Sequence, residues 1–281
     1  MNRTELWKKF RQSGAAPLGL LFLIAEALAV FLLPLLFHMD PVYSDVAAGF
    51  NAAPSAAHWL GTDAAARDLL ARTLYGGRTS LFVGVSAALI SVSIGFPLGL
   101  IAGYYRGIAE TLVVRFCDLF MSFPSILLAL ILVSIVGPSR VDIILIIGVM
   151  GWAGLARMVY ASVLSIREQE YIDSAISVGR GDFDILIHEV LPESLSSAFV
   201  SLSFCVNNAI LQESGLSFLG LGIRPPQASW GAILSAAQDL TVLTRMPWAW
   251  APSSILIVLT MISFHAVGEG LRDALDPNVT I

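Results

Sequence analysis

Six apolar stretches, each long enough to cross a lipid bilayer, govern what this chain can fold into. They fall near residues 17–37, 79–104, 112–136, 141–163, 196–220 and 250–271. A hydrocarbon core of about 30 Å needs roughly 20 helical residues, and each stretch supplies about that many. The runs are continuous, whereas strands of a membrane barrel would alternate apolar and polar side chains. Helices are therefore expected. With 56% hydrophobic and only 13% charged residues, and a mean hydropathy of +0.78, a soluble fold could not bury its apolar surface. The expected class is an all-α polytopic membrane protein with six transmembrane helices.

Basic residues set the expected orientation. Arg3, Lys8, Lys9 and Arg11 precede the first span and hold the N-terminus in the cytoplasm, and six spans return the C-terminus to the same side. The inside then also holds Arg106, Arg115, Arg157, Arg167, Arg180 and Arg272. The outside holds Arg67, Arg72, Arg78, Arg140, Arg224 and Arg245. Ten against six is the sign the positive-inside rule requires. The first apolar stretch is too long for the h-region of a signal peptide, so a retained first span is expected. The net charge of −5 comes without acidic or basic runs, and nothing points to nucleic acid.

Within the spans, Gly84, Gly95, Gly99 and Gly103 lie on or near one face of the second, where small residues let helix backbones approach closely. Pro97, Pro124 and Pro252 mark expected bends. The six tryptophans, Trp7, Trp59, Trp152, Trp230, Trp248 and Trp250, fall mostly near span ends, as aromatic rings do at a membrane interface. Cys117 and Cys205 both sit in apolar stretches and read as buried free thiols.

One polar island interrupts this pattern. Residues 165–192 read SIREQEYIDSAISVGRGDFDILIHEVLP. Ser165 and Glu168 have capping-box spacing, which predicts a helix start there. Ile172, Ala175 and Ile176 give that helix a narrow apolar face. Gly179 suits the left-handed residue that ends a helix, Asp182 can cap the next, and Pro192 marks the return toward the membrane. The product is a helix–turn–helix between two spans, suited to gripping another protein.

At these residues the chain resembles the integral-membrane permease subunits of bacterial ABC importers. Their signature is Glu-Ala-Ala, three residues, Gly, nine residues, Ile, one residue, Leu-Pro. Asp173, Ser174 and Ala175 stand at Glu-Ala-Ala, Gly179 at the Gly, and Leu191-Pro192 at the end, while Glu189 stands where Ile is usual. Two further stretches carry the resemblance. GTDAAARDLLARTLYGGRTSLFVG at 61–84 looks like the segment ahead of the second span in the dipeptide, oligopeptide and nickel branch, with Ala66 and Ala71 where Gly and Ser are usual. ESGLSFLGLG at 213–222, then PPQASWG and GEGLRDALDP, extend the likeness to about residue 277. The likeness is to the shorter of that branch's two permease subunits.

The resemblance implies a type I ABC importer permease fold in the bacterial inner membrane, with no enzymatic activity and no cofactor. It implies four kinds of partner: a second homologous permease, two ATP-binding subunits, an extracytoplasmic solute-binding protein and the lipid bilayer. Glu170, Tyr171, Asp173, Ser174, Ala175, Gly179, Leu191 and Pro192 are the implied ATPase-coupling residues. The solute would be a di- or oligopeptide, with nickel, a metal–chelator complex or an opine as alternatives. Residues 1–77 would form the N-terminal tail, first span and extracytoplasmic segment. Residues 78–271 would form the core carrying the 165–192 element, and 272–281 a cytoplasmic tail.

Direct chemistry is sparse. His38, His58, His188 and His265 are scattered without metal-ligand spacing, so no metal site is expected. GRGDFD lacks the Gly-Lys-Ser/Thr of a P-loop, so ATP must be hydrolysed elsewhere. Asn207, Asn208, Gln212 and Glu213 place polar groups along the fifth span, where they either line a solute path or tie helices together. Asp118, Glu26, His265 and Glu269 read as structural. Residues 61–78 read as an amphipathic outer helix, with Asp63–Arg67 and Asp68–Arg72 paired and Leu69, Leu70 and Leu74 toward the membrane. The 223–249 connection is long enough for a short re-entrant or surface helix. A secondary transporter is the rival from another class, but no repeat of broken helices is evident.

Overall fold

The computed structural model describes residues 3–275 and is helical, with two isolated β-bridges and no strand among those residues. A short helix α1 (Arg3–Gln12) precedes the first long helix α2 (Ala16–Leu36), and α3 (Leu69–Tyr105) follows an extended segment. Next come α4 (Gly107–Met121), α5 (Ser125–Val136), α6 (Arg140–Arg167) and α7 (Glu170–Ser177). The chain ends with α8 (Asp182–Ile185), α9 (Leu191–Phe218), α10 (Trp230–Leu234), α11 (Leu240–Arg245) and α12 (Ala251–Leu275). A π-helical turn at Leu186–Val190 joins α8 to α9. The last motif residues, Asp276 and Pro277, lie outside the described residues, as does the expected tail beyond Leu275, while its first residues, 272–275, continue α12.

Four helices, α2, α3, α6 and α12, are long and apolar enough to cross a membrane unbroken, and two bent pairs bring the total to six. The third stretch is one such pair: α4 and α5 meet at 78°, with Pro124 at the N-cap of α5. Proline cannot donate a backbone N–H and disfavours helix in the residue before it, so the break falls where the sequence placed a bend. The other pair bends by 50° between Leu195 and Ser197. Pro97, by contrast, is carried inside a continuous α3.

The bundle is organised on α3 and α6. A Cβ added at Gly95 would lie 2.6 Å from the Trp152 carbonyl oxygen, at Gly99 2.5 Å from that of Ala156, and at Gly103 2.7 Å from Val163 Cβ. Three glycines four residues apart thus press the α3 backbone directly onto α6. Gly84 does the same toward α9, where Ile210 Cγ1 fills the space at 2.5 Å. On the far side, α2 packs on α12 through Gly19, and Glu26 accepts a hydrogen bond from Thr260 Oγ1 at 2.8 Å.

Three expectations are corrected here. Residues 61–68 are loop, and α3 begins at Leu69, so the division placed at residue 78 falls inside one helix. Asp63 forms a tight turn, accepting from the Ala65 and Arg67 N–H groups at 2.8 and 3.0 Å. Asp68 is the N-cap of α3, accepting from the Ala71 N–H at 2.7 Å, and Arg72 pairs with Asp63 instead. The acid–base spacing that suits a helix surface also suits this turn, and Leu69 and Leu74 are buried against protein rather than membrane. Trp152 and Trp230 are likewise core residues, not interface rings. The 38–68 segment is closed by His58, whose ring nitrogens meet Asp68 at 2.8 Å and Asp45 at 3.4 Å. The Asp68 hydrogen bond is the main cause holding the His58 pKa above its ordinary value, against partial burial.

The glycine contacts give a clean test. Gly99→Ala should lower thermal stability of the purified protein by an overpacking cost of about 1–3 kcal/mol. Gly154→Ala, with nothing within 4 Å of the added carbon, should change it little. Equal unfolding temperatures for the two variants would refute the backbone-contact account.

Candidate functional site

The polar island folds as a compact element at one end of the bundle. Helix α7 lays Ile172, fully buried, and Ala175 onto a cluster with Leu100, Tyr104, Val163 and Ile166 from α3 and α6. Burying Ile172 is worth roughly 2 kcal/mol, which anchors the element to the two central helices. Gly179 follows at φ +81°, the left-handed region glycine enters without strain, and the Gly179 and Arg180 N–H groups close the helix onto Ile176 and Ala175 carbonyls. Ile185, Leu186 and Val190 return to the same cluster.

Two local expectations fail for a shared reason. Ser165 does not cap a helix: α6 runs on to Arg167, because Ile166 continues its buried stripe, and Gln169 stands at the N-cap of α7. Glu168 instead pairs with Arg106 at 3.0 Å. Asp182 is the first residue of α8, with Gly181 at the cap, and its carboxylate accepts from the Tyr104 hydroxyl at 3.3 Å. Packing on α3 and α6 outweighs the capping signals. Ile176, expected on the apolar face, is exposed.

The outer face of the element presents Glu170, Asp173 and Ser174 together with exposed Ile176, Val178 and Phe183. Val178 and Phe183 are 78% and 71% exposed, apolar groups left uncovered beside acids. Tyr171 is turned the other way and donates its hydroxyl to Glu193 on α9; burial first, and that bond second, raise its pKa. Arg180 donates to Asp184 at 2.7 Å and to Glu189 at 2.5 Å. Glu189 is thus an ion-pair partner that holds the π-helical turn against α7, which accounts for an acid where an apolar residue was expected. Leu191 packs at the cluster edge, and Pro192 opens α9.

Two clefts run from this element along the α6–α9 pair. The larger, about 1050 Å³, is lined by Ser162, Ser165, Glu189, Pro192, Ser197 and Ser201 among others. The second, about 300 Å³, lies further along the same two helices and is lined by Gly151, Gly154, Asn208 and Gln212, with Ser91 from α3 and Phe123 beyond α4. Among the described residues, no charged side chain lines the smaller cleft. The Gln212 Oε1 atom is buried and has no hydrogen-bond partner among the described residues.

The four polar residues of the fifth span therefore separate. Asn208 and Gln212 share the cleft. Asn207 points away and donates to the Met261 carbonyl of α12 at 3.0 Å. Glu213 is fully buried on the opposite side, accepting from Ser80 and Ser217. Asp118 pairs with Arg157 across α4 and α6. The small residues Gly151, Gly154 and Ser162 escaped notice in the sequence, where they read as ordinary span residues. Their i, i+3 and i+11 spacing on one helix face was the available signal.

A family model described as a binding-protein-dependent transport system inner membrane component matches residues 95–281. The chain belongs to this family. It is a multi-pass inner-membrane permease of the ABC-importer class. Among curated relatives, a protein named putative peptide permease from Brucella suis is 40% identical over 97% of this chain and 90% of its own length. The glutathione transport system permease protein GsiD of Pectobacterium atrosepticum is 39% identical, covering 98% and 91%. The dipeptide transport system permease protein DppC of Bacillus subtilis is 37% identical, covering 98% and 85%. A solved structure of the MetNI methionine ABC transporter in inward-facing conformations aligns at TM-score 0.55 and 18% identity, over 70% of this chain and 94% of that one. That likeness bears on the fold alone, and it is a type I permease fold.

The positive φ at Gly179 makes it a sensitive position in the element. Gly179→Val should add about 1–2 kcal/mol of backbone strain while meeting no steric neighbour within 4 Å. Hydrogen exchange in residues 170–185 should quicken while that of α3 and α6 stays unchanged. Unaltered exchange in α7 would show that the left-handed turn does not hold the pair together.

Proposed function

We propose that this chain forms half of the translocation pathway of an ATP-driven importer of di- or oligopeptides. The observation that carries this reading is the stacking of two clefts along α6 and α9, leading from neutral amides at Asn208 and Gln212 to the element around α7. Amides and hydroxyls can exchange hydrogen bonds with peptide groups without the desolvation cost of a buried charge. The relatives named for peptide, dipeptide and glutathione transport favour a peptide cargo over the nickel, chelate and opine alternatives.

In this reading a second, homologous permease covers the cleft face, and one of the two ATP-binding subunits docks on α7 and its surroundings through Glu170, Asp173, Ser174, Val178 and Phe183. Hydrolysis takes place on those subunits, and this chain is non-catalytic. An extracytoplasmic solute-binding protein delivers the cargo at the end of the bundle that holds residues 38–68 and 223–249. Both termini lie in the cytoplasm. The segment ahead of α3 then serves as the entry segment, and α3 to α12 as the transport core. Ala175, Gly179, Leu191 and Pro192 shape the coupling element, and Tyr171 joins it to α9. ATP shifts the pathway between open states only as far as the ATPase pair distinguishes them.

Orientation is tested first. Cysteines placed at Gln169 or Asp184 should resist an impermeant maleimide in intact cells and react after permeabilisation. Ready labelling from outside would reverse the topology and with it the docking face.

The pathway is tested in the assembled importer. Replacing Asn208 and Gln212 together with Leu should leave assembly and ATP binding intact while lowering peptide uptake about tenfold or more, as loss of two hydrogen-bonding groups from a transport site would. Normal uptake in an intact complex would remove these residues from the route. Dissociation of the complex would assign them to packing.

A further inference from the structure

Glu213 lies at the meeting point of three sequence motifs that the transport reading leaves unused. Ser80, from YGGRTS on α3, donates to its Oε2 at 2.9 Å, and Ser217, one turn on in α9, donates to Oε1 at 2.7 Å. Each serine has a second contact on a third segment. The Trp230 N–H donates to Ser80 Oγ at 3.2 Å, and the Ser217 and Ser229 hydroxyls lie 3.4 Å apart. Ser229 in turn caps α10, accepting from the Ala232 N–H at 3.1 Å. One buried carboxyl thus ties α3, α9 and α10 into a single knot. A buried carboxyl is costly unless hydrogen-bonded, and its loss leaves the Ser80 and Ser217 hydroxyls without their acceptor.

The packing around the knot leaves α10 no room to swing. Trp230 is fully buried, and its ring N–H donates to the Thr73 carbonyl at 3.1 Å. A Cβ at Gly77 would lie 3.0 Å from the Trp230 ring after a 2.7 Å contact with Val30, and one at Gly231 2.5 Å from Ser214 Cα. Both are close approaches of backbone, which sliding would have to break. A lid needs few buried contacts and free space. The neighbourhood of α10 has the opposite character.

We propose that Glu213 is a positioning residue that clamps α10 to α3 and α9, so that this part of the 223–249 connection stays in place through the transport cycle. The proposal rests on the transport reading only for the meaning of the cycle; the clamp itself is testable without transport.

The test uses the assembled importer in proteoliposomes. Ser217→Cys with Ser229→Cys should cross-link under copper phenanthroline, and peptide uptake should stay within about twofold of the reduced protein, since locking a fixed contact changes little. Uptake that stops on oxidation and returns with reductant would make α10 a moving lid and overturn the proposal, as would failure of the pair to cross-link. Separately, a cysteine replacing the buried Ile233 should resist an impermeant maleimide both without nucleotide and with ATP trapped. Adding Glu213→Ala should raise that labelling about tenfold, and Glu213→Gln, which can still accept and donate, should restore protection. Labelling that varies with nucleotide, or stays low in Glu213→Ala, would overturn the clamp. Labelling needs no transport activity, so loss of peptide uptake in the unmodified importer would refute the cargo reading and leave this result standing.

Discussion

The structure depends on one contact, the backbone-to-backbone approach of α3 and α6. Gly95, Gly99 and Gly103 present no side chains, and the carbonyls of Trp152 and Ala156 occupy the space where they would be. Inside a bilayer, helices gain little from the hydrophobic effect by associating, so close packing and polar contacts must hold them together. With these two helices fixed, α7 has a platform for Ile172, α9 has a groove against Gly84, and both clefts acquire a floor.

Against this pair, α9 runs as a long helix. Its 28 residues span roughly 42 Å at 1.5 Å per residue. One end touches α7 through Glu193 and Tyr171, while beyond its middle the same stretch turns Asn208 and Gln212 to the smaller cleft and Glu213 to α3. The helix bends by 50° near its start, just beyond the π-helical turn. Such turns often occur at functional positions. Here the turn lies where a displacement of α7 would first reach α9.

The fifth span shows how far residue types alone can be read. Asn207 and Asn208, and again Gln212 and Glu213, are neighbours in the helix and point about 100° apart, so each pair splits between two faces. The sequence therefore offered a pathway or interhelical hydrogen bonds without dividing them. The folded chain assigns Asn208 and Gln212 to a cleft, and Asn207 and Glu213 to neighbouring helices. The 61–78 segment shows the converse. Its acid–base spacing fits a helix and a tight turn equally well, and the Asp68 cap together with the burial of Leu69 and Leu74 marks where α3 begins.

The sequence by itself determined the number and approximate place of the apolar stretches, the break at Pro124, the close-packing face of the second span and the left-handed turn at Gly179. Each of these follows from a local property: length, a missing N–H, a missing side chain, an allowed φ. Tertiary structure decided what local signals could not. It extended α6 through the capping-box serine because Ile166 had a core to join. It gave Glu189 an arginine partner supplied by the preceding turn. It brought Ser80, Glu213 and Ser229, residues up to 149 positions apart in the chain, within hydrogen-bonding range of one another's partners. Contacts of that kind are set by how helices stack, and helix stacking is a property of the whole bundle.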